Sequence, residues 1–211
     1  MKVIDISWPI SAEMTAYKDR KVVQLDAIKA FEKDGVRESI ITIGSHTGTH
    51  IDAPSHFLKD GKTIDKIVLE KFIGECSVLD LSDVVDAITA DHLSMYEIAP
   101  DDIILLKTMN SDYQPTDPFL KDFVYLDASG AQYLADQGVR AVGVDYLGIE
   151  RNQPEHDTHT LLLQEEIPII EGLRLAHVQE GYYSFICLPL AVQGIDGAPA
   201  RAILFAQEDD E

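Results

Sequence analysis

Hydrophobic residues recur in short blocks along the chain, most of them alternating with polar ones at a spacing of two, and turn formers separate the blocks. Val3-Ile4-Asp5-Ile6 reads as a first strand stopped by Pro9. Val22-Val23-Gln24-Leu25 and Glu38-Ser39-Ile40-Ile41-Thr42-Ile43 alternate in the same way, with Lys33-Asp34-Gly35 as the turn between them. Lys59-Asp60-Gly61-Lys62-Thr63 is a polar turn, and Ile73 to Leu81 is a further strand. Ile103-Ile104-Leu105-Leu106-Lys107 is a continuous apolar run of strand length, the mark of a strand covered on both faces. Thr89 caps a short helical stretch. After the capping residue Asp127, Ala131, Leu134 and Ala135 keep helical spacing until Gly138 stops them. Val139 to Asp145 then forms a buried strand, which completes the strand, helix, strand succession of an α/β protein with a mixed sheet. Thr158 to Leu163 reads as a helix or helix end, and Pro168 to Leu173 as a short buried strand closed by glycine. Tyr183–Leu188 and Ala202–Ala206 are the last strands, with a loop from Gly194 to Pro199 between them. Nothing reads as a linker or an internal repeat, so one domain over residues 1–211 is expected.

Between Ser45 and His56 this regular pattern breaks. His46, His50, Asp52 and His56 fall within a Thr/Gly-rich stretch, Ser45-His46-Thr47-Gly48-Thr49-His50-Ile51-Asp52-Ala53-Pro54-Ser55-His56. On a helix, Asp52 would sit about 200° round from His50, so no helical face presents all the ligands. On a straight strand His46 and His50 would be roughly 13 Å apart at about 3.3 Å per residue, too far for one ion. The spacing therefore predicts a strand ending at His46, a bend at Thr47-Gly48-Thr49, and a second extended piece holding His50 and Asp52 on one face. Imidazole with carboxylate suits Zn, Mn, Fe or Ni, and no thiolate accompanies them. His56 follows Pro54 closely enough to lie near such an ion without binding it.

Charge narrows the partners. With 17 basic and 37 acidic residues the chain carries a formal −20, which repels phosphate backbones and anionic membranes, so neither nucleic acid nor membrane is expected. No apolar run approaches ~18 residues and Met1 leads straight into a strand-like pattern, so a cytoplasmic protein is expected. Cys76 and Cys187 lie in apolar strands without metal-type spacing and read as buried small hydrophobes of a reducing compartment. Glu208-Asp209-Asp210-Glu211 reads as a frayed solvating tail.

Glu171 stands in an apolar setting, Ile167-Pro168-Ile169-Ile170-Glu171-Gly172-Leu173, where an unpaired carboxylate is costly. A metal would resolve that cost, and so would Arg151, Arg174 or Arg201; the local sequence leaves both open. His92 and His177 read as surface or capping residues, and His156, three residues before His159, as a candidate to orient it.

Taken together, the stretch His46, Gly48, Thr49, His50, Asp52, Pro54, His56 resembles the cyclase-like metal-dependent hydrolases that include bacterial kynurenine formamidases and isatin hydrolases. Asp5-Ile6-Ser7-Trp8-Pro9 near the start, and Pro189-Leu190 with Asp196-Gly197-Ala198-Pro199-Ala200-Arg201 near the end, match in order, so the resemblance spans the whole chain. It implies a swivelling β/β/α fold with a mixed sheet, usually dimeric. It also implies His46, His50 and Asp52 on a first metal, with Asp52, His159 and Glu171 on a second. Zinc would be the ion, or manganese, with one or two bound, and His56 would be the catalytic acid/base. The implied reaction is attack by a metal-activated water on a small amide: an aryl formamide such as N-formylkynurenine, or a cyclic amide. A binding protein without turnover, or a dehydratase or cyclase using the ion as Lewis acid, are the alternatives. Two stretches depart from the family pattern where substrate would lie: Ala16-Tyr17-Lys18-Asp19-Arg20 lacks a Pro-Gly, and Gly143-Val144-Asp145 leads into Tyr146-Leu147-Gly148.

Overall fold

A computed structural model describes residues 2–20 and 23–206. Its strands are β1 (Lys2–Asp5), β2 (Val23–Lys29), β3 (Glu38–Ile43), β4 (His50–Asp52), β5 (Ile73–Asp80), β6 (Ala87–Ile88), β7 (Ile103–Lys107), β8 (Tyr125–Leu126), β9 (Ala141–Val144), β10 (Ile169–Glu171), β11 (Gly181–Pro189) and β12 (Gly197–Ala206). Its helices are α1 (Phe31–Asp34), α2 (Ala90–Leu93), α3 (Ala128–Gln137) and α4 (Asp157–Gln164). Val22 and the acidic tail Glu208–Glu211 lie outside the described residues.

Eight strands join in the order β1-β12-β11-β5-β7-β9-β10-β4, and β12 also pairs with β4, so that seven of them close into a barrel. Residues Gly197–Pro199 of β12 face β4 while Ile203–Ala206 face β1, so one long strand serves two neighbours on the same edge. β5, β7, β9 and β10 run parallel to one another, and the remaining pairings of this sheet are antiparallel. This is the mixed α/β sheet expected.

The uninterrupted apolar run of β7 has a direct explanation. Ile103 and Leu105 point into the barrel, where they meet Ile51, Val78, Ile170, Phe185 and Leu204. Ile104 and Leu106 point outward into a second core with Ala131 and Leu134 of α3 and Leu162 and Leu163 of α4. Both faces are buried, so alternation vanishes. Truncating a side chain such as Leu105, which is 0% exposed, would cost about 2–5 kcal/mol. Helix α3 runs as its sequence directs: Asp127 Oδ1 accepts the Gly130 N–H at 2.9 Å, and Gly138 ends the helix.

Three local features differ from the sequence pattern. Lys33-Asp34-Gly35 belongs to a one-turn helix, α1, closed by the Gly35 N–H on Phe31 O at 2.9 Å. Strand β3 stops at Ile43, three residues before His46, because residues 45–49 bend sharply. The turn formers Gly197-Ala198-Pro199 begin β12 instead of ending a loop. Pairing with Asp52, Ile51 and His50 of β4 overrides their local preference, and Pro199 still accepts the Leu190 N–H through its carbonyl at 2.9 Å. The two-strand pairing of β6 with β8 was not foreshadowed by any alternation.

Candidate metal centre

β4 and β10 pair antiparallel in the register Glu171↔His50, Ile170↔Ile51, Ile169↔Asp52. Side chains alternate across a strand, so Ile51 and Ile170 enter the barrel core while His50, Asp52 and Glu171 share the opposite face. Helix α4 lies over that face. Its buried positions Thr158, His159, Leu162 and Leu163 recur at helical spacing, which carries the His159 ring to the two carboxylates. The bend between β3 and β4 is held by Thr49, whose Oγ1 accepts the Trp8 N–H and donates to Gly172 O, both at 2.6 Å. Gly172 has φ +72°, and a Cβ there would stand 2.3 Å from Gly48 O. Only glycine lets the end of β10 approach the bend this closely.

On this face the two imidazole nitrogens approach opposite oxygens of the same two carboxylates. His50 Nε2 lies 3.3 Å from Glu171 Oε2 and 3.5 Å from Asp52 Oδ1, and His159 Nε2 lies 3.5 Å from Glu171 Oε1 and from Asp52 Oδ2. His50, Asp52 and Glu171 offer ligand atoms within 4.8 Å of one another, a compact group for one ion, and His159 approaches the second oxygen of each carboxylate. His50 Nδ1 donates to Gly48 O at 2.9 Å, which fixes the tautomer and leaves Nε2 bare. That Nε2 is buried and has no hydrogen-bond partner. It faces two carboxylates and no other polar group, an arrangement that a metal ion between them, or a proton on Nε2, relieves. His159 is oriented from behind: Glu150 Oε2 lies 2.9 Å from its Nδ1, and the other Glu150 oxygen contacts His156 Nδ1. The donor set therefore fits a divalent ion.

The charges agree. Burial opposes the charged forms of His50 and His159, but Glu171 and Asp52 outweigh it for His50, and Asp52, Glu150 and Glu171 for His159, so both are raised. Burial and the Asp52 charge work to raise Glu171, yet His159 and His50 bring it down to about 2. Asp52 is held well below the usual carboxylate range, burial being overcome by His159 and His46.

On the other side of Asp52 stand His46 and His56. His46 Nδ1 is 2.7 Å from Asp52 Oδ1 and its Nε2 2.9 Å from Asp196 Oδ2. Burial lowers its pKa but the two carboxylates prevail and push it up to about 9. The His56 ring stacks on His46 at 3.8 Å between centroids, with its Nδ1 3.5 Å from Asp196 Oδ2. Burial lowers the His56 pKa, the His46 and His159 charges add to this, and Asp52 and Glu171 oppose it. His46, Asp52 and His56 also have ligand atoms within 4.8 Å of one another, so Asp52 is shared between two candidate groups.

The structure thus brings His46, His50, Asp52, His56, His159 and Glu171 together, and it sends the three arginines elsewhere. Arg151 pairs with Asp86 and Asp122, Arg174 donates to the Ser111 and Tyr113 carbonyls, and Arg201 pairs with Asp5. Glu171 instead takes the Ile149 N–H at 2.7 Å. His92 Nδ1 accepts the Thr89 N–H at the start of α2, and His177 is exposed. Sequence reasoning missed Glu150 and Asp196. Asp196 stood in the matched C-terminal stretch, and Glu150 had no local signal beyond its place in the loop after β9. A cavity of about 420 Å³ opens over the cluster, walled by Tyr17, Phe57 and Leu147. Its size suits a small aromatic substrate.

A closed mixed barrel with buried imidazoles and carboxylates at a strand pair beneath a cavity is the architecture of a metal-dependent enzyme. The sequence profile of the Cyclase family matches residues 4–151. The kynurenine formamidase of Bacillus cytotoxicus is 34% identical over 203 residues, 95% of this chain and 96% of that protein. A solved structure described as a potential metal-dependent hydrolase with cyclase activity is 41% identical, with a TM-score of 0.88 and 99% of both chains covered. An isatin hydrolase bound to the product analogue thioisatinate has the same fold, with a TM-score of 0.88 at 20% identity over 98% of this chain and 93% of that one. The chain belongs to the Cyclase family.

Proposed function

We propose that this protein is a metal-dependent amidohydrolase that cleaves a small non-peptide amide, an aryl formamide such as N-formylkynurenine or a cyclic amide. The observation that carries the reading is the bare, buried Nε2 of His50, facing Asp52 and Glu171 at 3.5 and 3.3 Å. His50, Asp52, His159 and Glu171 would hold the ion, and His46, on the far side of Asp52, would serve a second. Zinc is the first expectation and manganese the second. When bound, the ion polarises a carbonyl and makes water a nucleophile near neutral pH.

The chain's own residues do the rest. Asp52 and Glu171 would balance the ion's charge, and Glu150, 2.9 Å behind His159 Nδ1 and accepting the His159 backbone N–H, holds that residue over the cluster. His56 lines the cavity beside the cluster and is only half-buried, so its ring can take a proton from the attacking water and return it to the departing nitrogen. Phe57 and Leu147 flank the aryl group.

A homodimer in the cytoplasm belongs to the same proposal. Among the described residues β2 and β3 pair only with each other, and together with α1 and the turn between them they expose Leu25, Ile28, Phe31, Val36, Ile40 and Ile41. Residues 23–43 carry three basic and four acidic side chains in a chain of net −20. This nearly neutral ribbon is where two such copies could meet without strong repulsion. Both cysteines are free and buried, and no described helix is long and apolar enough to cross a membrane.

The test is metal analysis of the purified protein, followed by hydrolysis assays with N-formylkynurenine, formanilide and isatin. Near-stoichiometric zinc or manganese and chelator-sensitive release of formate or ring opening are expected. A metal-replete protein that opens none of these amides would overturn the reading.

A further inference from the structure

The segment between β1 and the ribbon forms one wall of the cavity, and it is unusual in two respects. Lys18 and Asp19 both adopt left-handed backbone, with φ of 55° and 56°. Non-glycine residues in that region are strained and persist only when their surroundings hold them. Here the surroundings do so: Asp19 Oδ1 accepts the Phe119 N–H at 2.8 Å, and the Tyr17 ring meets Phe119 edge-on at 5.0 Å between centroids. The consequence is a division of charge. Asp19 is turned away to Phe119, while Lys18 and Arg20 line the cavity over the metal centre.

Two cations on that wall stand out in a chain where acidic residues outnumber basic ones 37 to 17. Both are exposed at the cavity rim, and among the described residues neither has a carboxylate partner; Lys18 Nζ lies 5.0 Å from the centre of the Tyr17 ring, which forms part of the same wall. The acids that line the cavity are already engaged. Glu171 faces His50 and His159, and Glu150 faces His156 and His159. Positive charge is thus left without a carboxylate counterpart at the rim of a space lined elsewhere by Phe57, Leu147 and the imidazoles and engaged carboxylates of the cluster. A ligand anion is the missing counterpart.

We propose that Lys18 and Arg20 are specificity-determining residues that select an amide carrying a carboxylate. This deepens the amidohydrolase reading and rests on it. The scissile amide lies at the His50/Asp52/His159/Glu171 cluster, the aryl group lies between Phe57 and Leu147, and the acid group reaches the Lys18/Arg20 wall. A neutral amide of the same size leaves both cations unpaired and gains nothing from them.

The measurement compares N-formylanthranilate with formanilide, its analogue without the acid, using the metal-loaded wild type, Lys18→Gln, Arg20→Gln and the double variant. The expected result is a wild-type preference for the acid in kcat/KM that falls about tenfold per cation removed, mainly through KM, and returns with Arg20→Lys. Calorimetric binding of anthranilate against aniline supplies a readout independent of turnover, and its acid preference is expected to fall in parallel. If the wild type binds anthranilate through these residues yet opens no amide, the hydrolase reading fails and the anion site stands. Equal losses for acid and neutral compounds, or an acid preference unchanged in the correctly folded double variant, would overturn the proposal.

Discussion

In the β2–β3 ribbon six large apolar side chains stand in solvent, the most open being Ile41 at 65% exposure, whereas at the β4–β10 pair His50, Asp52 and Glu171 are 5% exposed or less. The two regions depart from the usual partition of apolar inside and charged outside in opposite directions. Each departure costs free energy in the isolated chain, and under the proposed function each would be relieved by binding: a cation at the cluster, a second copy at the ribbon. Burial alone does not make a site. Asp145 is 0% exposed, yet it accepts from Thr108 N, Thr108 Oγ1 and Ser111 Oγ at 2.7–2.8 Å, and nothing there awaits a ligand. His50 Nε2 differs because its surroundings supply two acceptors and no donor.

The largest effect is expected at the cluster. His50→Ala should remove most bound metal and reduce turnover to background, since losing one of so few ligands leaves the carboxylates facing each other. Metal content by elemental analysis after gel filtration checks this, and undiminished metal would dissociate His50 from the centre. Next comes His56→Ala, which should retain metal and fold while kcat falls roughly 10²–10⁴-fold. A parallel loss of metal and activity, partly restored by added metal, would make His56 a ligand instead.

At the ribbon the expected effect is on association. Leu25 and Ile41 face each other across the two strands. Changing both to Lys should weaken the proposed dimer by at least about a hundredfold, because each aliphatic side chain buried there would contribute about 1.5–3 kcal/mol. Sedimentation at graded concentrations reads it. If the ribbon had no partner, both the mass and the stability would stay within the small range of an ordinary surface change.

The smallest effect belongs to the satisfied carboxylate. Burial pushes Asp145 up to about 6 despite its three donors. Its pKa in the unfolded chain is about 3.9, so the folded state holds the proton more tightly. The stability from that proton is full below about pH 4 and is lost as pH rises through 6. Asp145→Asn should flatten this part of the stability–pH curve and cost about 1–3 kcal/mol by disturbing a complete hydrogen-bond set. Chemical denaturation between pH 4 and 7 measures both.

How much of this was legible in the sequence follows from the range of the interactions involved. The β7 run, the caps of α3 and the spacing of His46, His50, Asp52 and His56 are local signals, and local geometry reproduces them. The bend was foreseeable because no straight backbone brings His46 to His50, whose rings stand 5.2 Å apart. Glu171 was visible as a costly charge among isoleucines, but choosing between metal and arginine needed the β4–β10 register, which no local pattern encodes. Glu150 acts on His159 from a loop whose course is set by the β9 exit, and Asp196 meets His46 only because β12 turns back to close the barrel. The same closure drew Gly197-Ala198-Pro199 into a strand against their turn preference.

The central claim is that His50, Asp52, His159 and Glu171 surround a divalent ion, and X-ray absorption at the edge of the copurifying metal tests it most directly. The account predicts a shell of nitrogen and oxygen at about 2.0–2.1 Å with imidazole scattering and no sulfur, and loss of the imidazole signal together with the metal in His50→Ala. A metal held by sulfur, or an unchanged imidazole shell in metal-replete His50→Ala, would contradict it.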